Sequence, residues 1–182
     1  MKFMLAAAAF ALALSATASF SAGSTPTADE FRHKAMASDG FEIASSKLAL
    51  KNSDSTKVKA FARLMIRDHT KTTEHLLKGS GMTKADVDKK IAPGSDGKYA
   101  ANDLVDEAHA DSLNKLAGEK GKDFDSDYAS GQVSGHKDAV AMFEDYAKNG
   151  DDKSLKAWAK ETLPTLKMHL SRAEALNGSG SM

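Results

Sequence analysis

The stretch VKAFARLMIRDHTKTTEHLL, residues 58–77, decides how the chain is read. Val58, Phe61, Ala62, Met65, Thr72 and Leu76 recur at the three-four spacing of a buried helical face. Asp68 and His69 fall on or beside that face. An unpartnered polar group in an apolar core costs about 1–3 kcal/mol, so this helix needs partners from elsewhere in the chain. Glu42, His136 and His169 occupy inward positions of three other predicted helices. The pattern predicts an all-α, up–down four-helix bundle with a polar centre.

Composition agrees with the helical reading. The 182 residues include many Ala, Lys, Asp and Leu, few β-branched runs and three Pro. There is no cysteine, so stability must come from the core, and the length suits one domain. Residues 1–18 read as a secretory signal: Lys2 in a short positive start, an apolar run to Leu14, and a small-x-small cut after Ala18. The run is shorter than the ~20 apolar residues that span a bilayer. The expected mature protein is soluble, in the periplasm or outside the cell. Its removal takes one lysine and no acid, so the net charge moves from 0 to −1. That balance argues against bulk nucleic-acid binding.

Outward from the opening helix, residues 19–26 read as a flexible tail. Thr27 and Glu30 form a capping box for a helix reaching about Lys51, with Phe31, Ala35, Ser38, Glu42, Ser45, Leu48 and Ala49 on its seam. Gly40 lies inside this helix and implies close packing. Residues 83–91 suit a short helix capped by Thr83, and residues 102–117 a further amphipathic helix crossing the end of the bundle. The third long helix, residues 123–148, carries Ala129, Val133, His136, Val140, Phe143 and Ala147 inward. After Asn149-Gly150 and an Asp cap, the fourth runs to Leu176 with Trp158, Leu166, His169 and Leu170 inward. Pro164 is expected to kink it before His169. Residues 27–176 form the bundle, and residues 177–182 a disordered tail.

The inward groups suggest chemistry. Placing the turns near Asn52 and Asn149 at one end spreads Glu42, His69, His136 and His169 over roughly 12 Å, at ~1.5 Å per residue. Imidazole with carboxylate suits zinc, iron, copper or manganese, and bundle cores build metal sites from inward side chains. Glu42, Asp68, His69, His136 and His169 are therefore the candidate metal ligands, and a buried hydrogen-bonded network is the alternative. Metal affinity is expected to fall below about pH 6, where imidazoles protonate.

Other motifs exclude more than they support. Glu-x-x-His, the di-iron signature, is missing: Glu42 precedes Ser45 and Glu144 precedes Ala147. Asp123, Asp125 and Asp127 open like a calcium loop, but Tyr128 stands at the glycine position and Ser134 at the final acid. These acids suit a helix start. His33, His75 and His109 read as exposed helix residues. No nucleophile elbow or phosphate-binding glycine loop occurs. Lys59, Arg63, Arg67 and Lys71 form an outer basic row at four-residue spacing. Its two readings are a solvated face and a surface for an anionic envelope component.

Several stretches together resemble the exported bacterial family called domain of unknown function 4142. They are Phe41-Glu42-Ile43 with Leu48-Ala49-Leu50, residues 58–62 with Arg67-Asp68-His69, Asp123-Phe124-Asp125 with Tyr128, His136, and Thr162-Leu163-Pro164 with His169. The resemblance implies a ferritin-like four-helix bundle whose recurring polar positions are Glu42, Asp68, His69, His136 and His169. It implies no established activity. The functions left open are transition-metal binding in metal handling or envelope stress, a non-enzymatic envelope interaction through the basic row, and a mononuclear-metal oxidoreductase.

Overall fold

The computed structural model describes residues 25–78 and 80–179. The predicted signal segment lies outside them. Six helices are formed: α1 Ala28–Asn52, α2 Thr56–Leu76, α3 Lys84–Lys90, α4 Glu107–Gly118, α5 Gly121–Asn149 and α6 Lys153–Ser179. Local chemistry sets their starts. Thr27 and Glu30 make the predicted capping box, Ser55 accepts from the Val58 amide, and Thr83 pairs with Asp86. Asp106 caps α4, and the Asp152 carboxylate accepts from the Leu155 amide at 2.7 Å. Gly121 begins α5 at φ +57°, a left-handed geometry that a glycine adopts freely.

The four long helices form two antiparallel hairpins, α1 with α2 and α5 with α6. Aromatic contacts fix one end. Phe31 of α1 stacks on Tyr146 of α5 with ring centroids 4.0 Å apart. Trp158 of α6 lies 5.5 Å from Phe143 and stacks on His75 of α2 at 4.6 Å. At the other end the Asn52 amide donates to the Leu116 carbonyl at 3.0 Å, and Lys120 donates to Asn52. The start of α1 therefore meets the end of α5, and the two run antiparallel. The order is up–down–down–up, a ferritin-like arrangement with one long crossover.

This topology corrects one sequence expectation. The turns after Asn52 and after Asn149 lie at opposite ends, because the crossover returns the chain to the Asn52 end before α5 begins. Counted from that end, Glu42, His69, His136 and His169 lie about three to four turns in, at ~3.6 residues per turn. The expected spread of roughly 12 Å came from counting two helices from the wrong end.

The crossover also differs from its expected path. It lies along the side of α1, not across the end of the bundle. Phe41 packs against His109 with ring centroids 4.7 Å apart. A Cβ at Gly40 would stand 3.0 Å from the Ile91 side chain and 3.2 Å from the Leu104 carbonyl, which explains the glycine inside α1. α1 is therefore packed on several sides, and residues 39–46 are buried without interruption. α6 continues unbroken through Pro164 to Ser179, three residues beyond the expected end at Leu176. Ser130 of α5 donates to Asn177 at 3.3 Å and ties down that last turn.

Candidate metal centre

Each long helix sends polar side chains to the middle of the bundle. His69 comes from α2, His136 from α5 and His169 from α6. Their exposures are 3%, 1% and 1%. The three rings form a near-equilateral triangle, with centroid separations of 5.5, 5.5 and 5.4 Å. One ring nitrogen from each lies within 4.8 Å of the others.

The outer nitrogens are all engaged. His69 Nδ1 lies 2.7 Å from Asp39 Oδ1, and the second oxygen of Asp39 accepts from the Thr73 hydroxyl at 3.1 Å. His136 Nδ1 lies 2.9 Å from the Gln132 carbonyl, one helical turn earlier, with Glu42 Oε1 at 3.5 Å. His169 Nε2 lies 3.1 Å from Asp68 Oδ2. The other nitrogens, His69 Nε2, His136 Nε2 and His169 Nδ1, are buried without a hydrogen-bond partner. Glu42 Oε2 and Gln132 Oε1 are buried acceptors without a donor.

Burial controls the protonation of the cluster. It drives His69 down to about 4, and the neighbouring His136 adds to the fall against the pull of Glu42 and Asp68. Burial also takes His169 to about 4, assisted by His69 and His136 and opposed by Asp68. Asp39 is raised well above the ordinary carboxyl range, again by burial. Both partners of the Asp39–His69 pair thus resist a bare charge, and one shared proton satisfies the pair. Burial raises Asp68, but two hydrogen bonds from Arg67 together with His169 outweigh it and leave this carboxyl below its usual range. His69 and His169 therefore offer neutral imidazoles, the form that ligates a metal.

Of the expected ligands, the structure brings His69, His136 and His169 together. Asp68 stands outside the triangle, between His169 and Arg67, so its oxygens are occupied by these two partners. Glu42 borders His136 on the α1 side. Asp39 escaped the sequence reading: it is one helical turn before Glu42, beside the seam drawn for α1. Its position three residues before Glu42 was the available signal, usable only for a helix buried on more than one face. Two further positions differ. Thr73, not Thr72, is buried on α2, and Ser38 of α1 is only half-buried.

The remaining candidates sort plainly. Asp123, Asp125 and Asp127 lie in the opening turns of α5, as a helix start and not a calcium loop. His75 and His109 are half-buried against Trp158 and Phe41, while His33 is exposed. In the basic row Arg63, Arg67 and Lys71 are exposed and Lys59 is half-buried. Arg67 is committed to Asp68 through bonds of 2.7 and 3.0 Å.

Fold and site together define a ferritin-like helical bundle with a buried three-histidine cluster. Among the described residues no helix is long and apolar enough to cross a membrane. Residues 13–176 match the family described as "Domain of unknown function (DUF4142)", and the chain belongs to it. No match is found among curated proteins. The fold is similar to that of CopM in the Cu(II)-bound form, with a TM-score of 0.59 and 15% identity over 85% of this chain and 98% of CopM.

Proposed function

We propose that the protein is an exported metal-binding bundle that holds one transition-metal ion between His69, His136 and His169. Glu42 is the acid placed to add an oxygen donor. The observation that carries the reading is the set of three inward nitrogens, each buried and each without a partner. A core that bonds every outer imidazole nitrogen and leaves every inner one bare is arranged for a ligand. An all-imidazole set without thiolate suits copper, zinc or iron. The Cu(II)-bound form of a fold neighbour supports testing copper first. The role is metal handling or protection of the envelope.

Elemental analysis tests this on the mature protein, purified without an affinity tag or chelator, beside a His69→Ala/His136→Ala variant. Near-stoichiometric metal in the first, and none in the second, supports the site. Metal-free wild-type protein whose melting temperature ignores added Cu(II) and Zn(II) refutes it, since an ion bound only by the folded state must raise stability.

A further inference from the structure

The three imidazoles are not held alike. His69 and His136 turn Nδ1 outward, to Asp39 and to the Gln132 carbonyl, and keep Nε2 inward. His169 does the reverse: Nε2 faces Asp68 and Nδ1 is inward. A backbone carbonyl can only accept, so His136 carries its proton on Nδ1. Asp39 is different: burial raises it well above the ordinary carboxyl range, so its short contact with His69 does not fix where that proton sits. Asp68 receives two bonds from Arg67 as well as that of His169, so it is an acceptor.

We infer that Asp68 is a positioning residue that fixes in His169 the tautomer opposite to that of His136. An ion in the centre then meets a mixed donor set: Nε2 of His69, Nε2 of His136 and Nδ1 of His169. The donor-set half of the inference rests on the metal reading above; the tautomer half stands on the protein alone. The asymmetry has a geometric purpose. Nδ1 lies closer than Nε2 to its own main chain, so His169 reaches the centre on a shorter arm than His69 or His136. Carboxylates behind ligating imidazoles also raise their basicity and hold the rings still.

Long-range proton–nitrogen correlation spectra of the 15N-labelled, metal-free protein near neutral pH read the tautomers directly. The expected result is a proton on Nδ1 of His136 and on Nε2 of His169. Zinc, as a diamagnetic probe, is then expected to shift Nε2 of His69, Nε2 of His136 and Nδ1 of His169. A proton on Nδ1 of His169, or on Nε2 of His136, overturns the inference whether or not zinc binds. The stated tautomers with no zinc bound refute the metal reading and support the tautomer assignment. Asp68→Ala is expected to leave His169 a mixture of both tautomers, which loss of packing alone does not produce. Asp68→Asn should weaken zinc about 10–100-fold at unchanged stoichiometry. Unchanged zinc affinity in Asp68→Asn, with the wild-type tautomers retained, overturns the positioning role.

Discussion

Replacing His169 by leucine tests whether the centre is built from buried neutral imidazoles. In the folded metal-free protein His169 is held near 4, against 6.5 for an ordinary imidazole, mainly by burial. Below its ordinary pKa the unfolded chain takes up a proton that the folded chain refuses. The stabilisation is complete above about pH 6.5 and is lost as the pH falls toward about 4. A fall from 6.5 to about 4 corresponds to about 3 kcal/mol, at ~1.36 kcal/mol per pKa unit. His69 is displaced to the same value for the same principal reason. Asp39 is raised well above its ordinary range and in the folded state holds the proton that His69 refuses, so that pair adds little to the pH dependence in this window. Urea unfolding with a chelator present, repeated at half-unit steps from about pH 7 to 4.5, should show a limiting slope near ~1.4 kcal/mol per pH unit in the wild type. His169→Leu should lose most of that slope, because its linked proton is gone. Asp68, held below its usual range, contributes its own loss below this window. Equal slopes in the two proteins would refute the reasoning, since they would mean that His169 titrates alike folded and unfolded.

Further consequences concern binding and packing. Because His69 and His169 stay neutral to about 4, metal affinity should hold down to about pH 5 and fall only below it. A titration of copper or zinc against pH checks this, and half-loss at pH 6 would contradict it. Phe31 is 0% exposed and stacks on Tyr146. Phe31→Ala should cost about 3–5 kcal/mol in chemical denaturation, and a loss under 1 kcal/mol would show that the aromatic end is loosely packed. A Cβ at Gly150 would lie 2.7 Å from the Tyr146 carbonyl and ring. Gly150→Ala should therefore destabilise by about 1–3 kcal/mol, read as a lower melting temperature.

The faces of α2, α5 and α6 were legible because each has one buried stripe with polar residues opposite. Three-four spacing alone was enough to place His69, His136 and His169 inward. α1 was less legible because it packs against α2, α4 and α5. Its residues 39–46 are buried on every side, so no polar face remains to mark the others. Asp39 was lost for that reason, although it lies one turn from Glu42. The levels of the histidines were misjudged for a different reason. Helical spacing orients a residue around its own axis and says nothing about the end from which each helix departs. That depends on the path of the crossover, which is set by tertiary contacts such as Gly40 beneath Ile91 and Leu104.

The arrangement also explains why a buried hydrogen-bond network is the weaker reading of the centre. A network that staples helices gains by closing its bonds on itself. Here the imidazoles lie 5.4–5.5 Å apart between centroids, yet none bonds another. Each spends its outer nitrogen on its surroundings and leaves the inner one bare. Glu42 and Gln132 likewise leave buried acceptors open beside the same centre. Each bare buried group costs free energy that leucine or phenylalanine would not. A sequence shaped for stability alone would have filled this volume with apolar side chains, as it did around Phe31 and Met65 in the same bundle. Such a departure from otherwise consistent packing marks a functional position. One ring nitrogen of each imidazole lies within 4.8 Å of the others, so the compensation is a single small electrophile, and an imidazole-binding metal ion meets that description.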